Sequence, residues 1–130
     1  ILEYRMTSVL NVDSIAAKDG TSPVELTKQS AAKAWINFDG TGTIAVRDSF
    51  SVSSIDDDGT GLYSYNLSNA TSNANYNCNS NAATTGIATS NRAAASIPEN
   101  TSSVLIGARN MSNAAVDCQN MHGNIHGDLA

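Results

Sequence analysis

Basic clusters, long apolar runs and aromatic side chains are all scarce in this sequence. Lysine and arginine total 7 against 12 acidic residues, which gives a formal net charge of −5, and no run of basic residues occurs. A nucleic-acid partner is therefore not expected, because such proteins carry a basic patch or stripe. No segment approaches the roughly 18 apolar residues that a membrane-spanning helix requires, so membrane insertion is not expected either.

The composition favours an all-β chain with a modest core. Only 5% of the residues are aromatic, and much of the 41% hydrophobic content is alanine, which buries little surface. Serine, threonine and asparagine make up about a third of the sequence. These side chains compete for backbone hydrogen bonds, so they disfavour long helices and suit turns and polar sheet faces.

The two cysteines, Cys78 and Cys118, belong to no Cys-x-x-Cys pair and to no cysteine–histidine ligand spacing. A disulfide between them is possible. Two reduced thiols are the favoured interpretation, because an unpaired cysteine behaves as a small apolar residue. No motif for a cofactor occurs, and none is expected.

Patterns that would indicate an enzyme are weak. Glu3, Glu25 and Glu99 lie in contexts typical of exposed residues, and serine is too abundant to single out a nucleophile. Residues 56–59 carry some ligands of a calcium loop, but the glutamate that completes an EF-hand is missing, so a turn is favoured. We therefore expect no catalytic activity.

Both histidines lie near the C-terminal end, at His122 and His126, with Asp128 two residues later. Such groups can bind Zn²⁺ or Fe²⁺. In an extended strand the histidines would share a face but stand about 13 Å apart, at roughly 3.3 Å per residue, too far for one chain to chelate an ion. One histidine from each of three chains could bind an ion at a threefold axis. Solvated or packed imidazoles are the alternative.

Period-two alternation of apolar residues predicts an antiparallel meander in the first half of the chain. The expected strands span residues 34–38, 44–55 and 63–67. The glycine-bearing turns between them span residues 39–42 and 56–61. Residues 1–29 are expected to form a β-hairpin connector or shaft segment, and residues 30–130 an antiparallel β-sandwich-like distal domain.

The large buried side chains are expected mainly in the meander. The residues proposed for this role are Trp35, Ile36, Phe38, Ile44, Val46, Phe50 and Val52. Trp35 and Ile36 face opposite sides of one strand, so one of the two is expected to face a second sheet or a neighbouring chain.

The second half gives weaker signals. A weak strand is expected around Tyr76, a clear one around Val104 to Ala108, and a last one beginning at Val116, followed by an irregular tail over residues 121–130. Residues 88–95 have helical propensity but would be marginal as a helix.

Residues 32–55, from Ala32-Lys33-Ala34-Trp35 to Ser53-Ser54-Ile55, together with the turn Asp58-Gly59-Thr60-Gly61-Leu62-Tyr63, resemble a domain common near the C-terminus of bacteriophage tail fibres. Leu10-Asn11-Val12-Asp13-Ser14-Ile15 is similar to the connector that often precedes it. The resemblance covers about residues 10–68, or half of the chain. The final Gly127-Asp128-Leu129-Ala130 is similar to the C-terminal tail of that family.

The resemblance implies a structural virion protein of the phage tail, made in the host bacterial cytoplasm and assembled as a homotrimer with other tail proteins. It carries no catalytic residues over to this chain. The distal domain would attach the fibre to a glycan or protein of the host-cell surface. Residues of the 2–12 segment, and some of Ile36, Phe38 or Val104, would then meet around a threefold axis.

Polar and aromatic side chains are the candidates for receptor contact, and core or strand-pair positions are their alternative role. The candidates are Tyr63, Tyr65, Asn75 and Tyr76. Two other functions stay open: a purely structural virion connector or decoration protein, and a secreted carbohydrate-binding module.

Overall fold

The computed structural model describes residues 15–16, 18–20, 31–84 and 91–130. In these residues the chain forms eight β-strands and no helix. The described residues therefore contain no helix that could cross a membrane. The strands are β1 (Ala34–Asp39), β2 (Ala45–Phe50), β3 (Val52–Gly59), β4 (Leu62–Leu67), β5 (Asn77–Ala83), β6 (Arg92–Pro98), β7 (Ser103–Asn110) and β8 (Asn120–His126).

The strands form two four-stranded antiparallel sheets that pack on each other. The first sheet has the order β2-β1-β8-β5, and the second has the order β3-β4-β7-β6. Every pairing within them is antiparallel. The expected all-β, sandwich-like fold is therefore confirmed.

Side chains from both sheets meet in one core. Phe38 of β1 and Tyr63 of β4 pack edge to face, with ring centroids 5.2 Å apart and ring planes at 74°, a geometry that the ring quadrupoles favour. The buried hydrophobic residues are Ala34, Ile36, Phe38, Tyr63, Tyr65, Leu67, Tyr76, Ala82, Val104, Ile106, Ala108, Cys118, Met121 and Ile125.

The expected core is correct only in part. Ile36 and Phe38 are buried, and Ile44 and Val52 pack against the core from half-buried positions. Most of the large buried side chains come instead from β4, β7 and β8. Three of the proposed core residues are exposed on the surface, namely Trp35, Val46 and Phe50.

The chain passes from the first sheet to the second at Ser51. This residue alone separates β2 from β3, and its φ of 53° lies in the left-handed region that non-glycine residues rarely adopt. The run of alternation that predicts one strand over residues 44–55 is thus two strands in different sheets. Phe50, the last residue of β2, lies just before the bend.

The second half is more regular than its sequence indicates. The strands expected near Tyr76 and over Val104 to Ala108 correspond to β5 and β7, whereas residues 92–98 form a strand rather than part of a helix. The tail expected to be irregular contains β8, which lies between β1 and β5. The last strand begins at Asn120 rather than at Val116.

A glycine explains why the sequence pattern does not predict β8. Gly123 is buried, and a Cβ atom there would lie 3.1 Å from the Tyr65 hydroxyl oxygen. A glycine in a strand often marks such a close approach rather than an irregular segment. Gly123 makes room for the Tyr65 ring between the sheets.

The expected connector lies largely outside the described residues, which include only 15–16 and 18–20 of its span. The expected contact of the 2–12 segment at a threefold axis also lies outside them. The same expectation for Ile36, Phe38 or Val104 is wrong, because each is at most 1% exposed inside its own chain.

Candidate functional site

The outer face of the first sheet carries an unusual density of side-chain amides. In β8, Met121, Gly123 and Ile125 point into the core, so the alternating residues point outward. Residues directly opposite each other on antiparallel strands project to the same face. We call this surface the amide face; its members are Trp35, Asn37, Asp48, Phe50, Asn77, Asn79, Asn81, Asn120, His122, Asn124 and His126.

The strand register orders the amide face into rows. One row runs across all four strands through Phe50, Trp35, Asn124 and Asn79. The Asn79 amide nitrogen donates to the Asn124 side-chain oxygen at 3.4 Å. That distance is long for a hydrogen bond, so both amides retain capacity to bind other groups.

A second, parallel row is polar throughout. It runs through Asp48, Asn37, His122 and Asn81. On strand β8 it lies two residues from the first row, which places the two rows about 7 Å apart. The amide face therefore offers adjacent donors and acceptors in two dimensions.

Trp35 and Phe50 form the apolar part of this face. They are register partners on β1 and β2, and their exposed fractions are 36% and 54%. Trp35 points outward because its neighbours Ala34 and Ile36 occupy the core. Two exposed aromatic residues side by side differ from the single exposed apolar residues that any protein surface carries.

Arg47 closes one end of the face. Its guanidinium donates to the Gln119 carbonyl oxygen at 2.6 Å and to the Phe38 carbonyl oxygen at 3.1 Å, and it forms an ion pair with Asp39 at 3.3 Å. Hydrogen bonds from Thr41, and secondarily the charge of Arg47, hold the pKa of Asp39 below its usual value. These two charges thus largely neutralise each other.

A pocket of about 290 Å³ lies at the opposite end, beside the β5–β8 pair. Its backbone is fixed by a hydrogen bond from the Ser72 amide to the Asp128 carbonyl oxygen at 2.9 Å. Asn77 and His126, which are register partners, belong to both the pocket and the amide face. The lining residues are Ser72, Asn73, Asn75, Tyr76, Asn77, His126, Gly127 and Asp128.

The four proposed receptor contacts lie in different environments in the structure. Tyr63 and Tyr65 have no exposed surface, so they are core residues and the contact role proposed for them must be corrected. Tyr76 is also buried, and its hydroxyl donates inward to the Ser103 carbonyl oxygen at 2.8 Å, which leaves only part of the ring against the pocket. Asn75 is exposed and lines the pocket.

The two histidines lie on the amide face, in β8. His122 is exposed, whereas His126 is half-buried at the pocket. Among the described residues, no group of three histidine, cysteine or acidic side chains is arranged to hold a metal ion. Within one chain both histidines lie on the amide face, and an ion bound by one histidine from each of three chains stays a prediction.

The chain was also compared with known proteins. No family model, no curated protein and no solved structure matches it. The geometry of the described residues is therefore what defines the candidate site.

The positions of the polar residues in the sequence also indicate this face. Asparagine recurs at every second position over residues 77–81, and polar residues alternate with Met121, Gly123 and Ile125 in the last strand. Such alternation places one chemical type on one face. Alternation alone does not say which face is inside, so the prediction that Trp35 is a core residue is wrong.

Proposed function

We propose that the chain is a non-catalytic binding module of a phage tail fibre, and that its amide face attaches the fibre to a host-cell surface. Residues 32–63 support the tail-fibre assignment by their resemblance to that family. The observation that carries the binding role is the exposed Trp35–Phe50 pair beside two rows of amide and imidazole groups.

The chemistry of the face favours binding over catalysis. Asparagine amides donate and accept hydrogen bonds but do not take part in acid–base chemistry at ordinary pH. Each such contact contributes little by itself, so a single site would bind weakly. Several fibres that engage one cell would gain attachment strength through effective concentration.

We also propose that the chain acts as a homotrimer within the virion tail, together with other tail proteins. The resemblance supports this assembly. The low aromatic content adds no support for a trimer, because the described residues of one chain enclose a core of their own. Light scattering on the full chain at micromolar concentration is expected to give the mass of three chains. A stable monomer would contradict the trimer and weaken the tail-fibre proposal.

A cell-attachment assay tests the binding role. The fluorescently labelled 130-residue chain is added to a panel of bacterial strains, and bound fluorescence is measured against chain concentration. Saturable attachment to some strains, reduced by Trp35→Ala and by Asn124→Ala, is the expected result. Leu62→Ala is the matched control, because Leu62 is 38% exposed and lies on the other sheet.

Two outcomes would contradict the proposal. Absence of saturable attachment to any strain would favour a purely structural connector or decoration protein. Attachment that Leu62→Ala weakens as much as Trp35→Ala would place the binding surface outside the amide face.

A further inference from the structure

Trp35 lies between two different chemical neighbours on the amide face. Phe50 faces it from β2, and Asn124 faces it from β8, with Asn79 next in the same row. An aromatic surface therefore continues directly into a strip of hydrogen-bonding amides. A ligand that covers this row must itself have an apolar face and a polar edge.

We infer that the amide face binds an uncharged oligosaccharide, with Trp35 as the stacking platform for one sugar ring and the pocket lined by Asn75 and His126 as the subsite for a neighbouring one. This inference deepens the proposed attachment function and rests on it. It assigns the ligand class and the two positions that contact it.

The aromatic pair fits a sugar ring. A pyranose has a face of C–H groups and an edge of hydroxyl groups. The C–H face can lie against an exposed indole, whose π surface is weakly negative. Trp35 is 36% exposed, so part of its surface is available for this contact.

The amides fit the hydroxyl edge of the sugar. Each hydroxyl both donates and accepts a hydrogen bond, as does each asparagine side chain, whereas a carboxylate only accepts and a lysine only donates. Asn124 and Asn79 lie beside Trp35, and Asn37 and His122 form the next row. Neighbouring hydroxyls of one ring can therefore bind neighbouring side chains.

The charges of the face favour an uncharged ligand. Arg47, at one end, donates to two carbonyl oxygens and to the Asn37 side-chain oxygen and is paired with Asp39, so neighbouring groups offset its positive charge. Asp48, next to Asn37, and Asp128, at the pocket, would repel one. A protein partner would also suit the exposed aromatic residues, and it is the alternative that the cell treatments below distinguish.

The two subsites are close enough for one short chain of sugars. Trp35 faces Asn124 across one strand spacing of about 4.8 Å, and His126 lies two residues, about 7 Å, further along β8. The pocket volume of about 290 Å³ is at the lower limit for small-molecule sites and suits one ring rather than a large ligand. A ligand stacked on Trp35 reaches the pocket across Asn124.

Trp35 is the only tryptophan of the chain, so its fluorescence reports directly on the first subsite. Glucose, galactose and N-acetylglucosamine, and oligosaccharides of two to four such units, are titrated into the full chain. At least one is expected to change the Trp35 emission saturably. The oligosaccharide should bind more tightly than its single sugar because it occupies both subsites.

Calorimetry on variants separates the two subsites and does not need the tryptophan. Trp35→Ala is expected to weaken the oligosaccharide affinity by at least about tenfold, from lost stacking and apolar burial. Asn75→Ala, at the pocket, should reduce the affinity for the oligosaccharide but not for the single sugar. Leu62→Ala should leave both affinities unchanged, and a circular dichroism spectrum checks that each variant folds.

Cell treatments distinguish failure of this inference from failure of the proposed function. Periodate cleaves vicinal diols of surface glycans, and protease removes surface proteins. Attachment that periodate abolishes and protease spares supports the carbohydrate ligand. Attachment that protease alone abolishes, with no sugar affecting Trp35, overturns the carbohydrate inference and leaves the attachment function standing.

The remaining outcomes are also decisive. Sugar binding without attachment to any cell would overturn the attachment function while the sugar site stands. If neither sugar binding nor cell attachment is observed, the carbohydrate inference and the attachment function are both wrong. If Trp35 emission depends on protein concentration and not on sugar, a second copy of the chain covers the amide face, and the carbohydrate inference is wrong.

Discussion

The two sheets share one core but present very different outer faces. The first sheet exposes Trp35 and Phe50 among asparagine and histidine side chains. The second sheet exposes aliphatic residues, including Leu62 at 38% and Ile97 at 57%, beside a row of aspartates in β3. The difference shows that packing constrains only the inward positions of each strand, so the outward positions are open to functional specialisation.

The aspartates of the second sheet are engaged by their own neighbours. Asp58 accepts a hydrogen bond from the Ser64 hydroxyl at 2.6 Å, and Asp56 accepts one from the Asn66 amide at 2.8 Å. Both acidic residues belong to β3, so the alternative of a calcium loop at residues 56–59 is not supported.

The largest expected change in stability distinguishes a residue of the shared core from a residue of the outer face. Phe38→Ala removes a fully buried ring and should lower the free energy of unfolding by about 3–5 kcal/mol. Phe50→Ala removes a ring that is 54% exposed and should change it by no more than about 1 kcal/mol. Urea unfolding followed by circular dichroism measures both. Equal losses would mean that Phe50 also packs in the core.

A second contrast concerns the turns that join β1 to β2 and β3 to β4. Gly61 has a φ of 63°, and a Cβ there would lie 2.6 Å from the Val116 nitrogen, whereas Gly42 has a φ of 60° with open space around it. Gly42→Ala should cost about 1–2 kcal/mol from the left-handed backbone alone, and Gly61→Ala should cost more. Thermal unfolding of the two variants tests the order. A smaller loss for Gly61→Ala would show that β3 and β4 tolerate rearrangement of their turn.

The third prediction compares two tyrosines of the second sheet that point toward the first. The Tyr63 hydroxyl donates to the Gly40 carbonyl oxygen at 2.8 Å and also contacts the Asp117 carboxylate at 2.9 Å. In the described part of the chain the Tyr65 hydroxyl is buried without a partner. Tyr63→Phe should therefore cost about 1–2 kcal/mol, and Tyr65→Phe should be neutral or stabilising. Chemical denaturation measures the difference, and a costly Tyr65→Phe would reveal a bound water or other partner.

The stability should also fall at alkaline pH. Burial raises the pKa of Tyr76 to about 12 from an ordinary 10.0, and it raises the pKa values of Tyr63 and Tyr65 as well. The unfolded chain loses these protons first, so the stabilisation is complete below about pH 10 and declines as the pH rises toward the folded-state values. Unfolding midpoints between pH 8 and 12 are expected to show this decline. Tyr76→Phe should reduce its slope, and an unchanged slope would contradict the assignment.

The smallest effect concerns the free cysteines, which differ in accessibility. Cys118 is buried and Cys78 is half-buried, and burial raises the pKa of the Cys118 thiol. In the native chain an alkylating reagent should therefore label Cys78 well before Cys118. Mass spectrometry without reductant gives the order of labelling. A mass deficit from a disulfide would overturn the prediction of two reduced thiols.

Part of the fold could be predicted because its signals are local. The first hairpin, the turn before Leu62 and the strand around Val104 follow from alternation and glycine placement, and the structure contains all three. The candidate site was predicted less well. Asn75 lies at the pocket, whereas Tyr63 and Tyr65, chosen as polar aromatic residues, are buried by the packing of the second sheet.

The sequence by itself determined that the chain is a β-protein with strands of alternating character, because alternation and turn residues act over a few neighbouring positions. It also determined that Trp35 and Ile36 face opposite sides of one strand. Only the tertiary structure decided which of the two side chains is buried. It also decided that the chain passes from one sheet to the other at Ser51 and that β8 lies between β1 and β5. Those choices depend on strands distant in sequence: Ile36 is buried because the second sheet covers its side, and Trp35 stays partly exposed because no described strand packs on the other side.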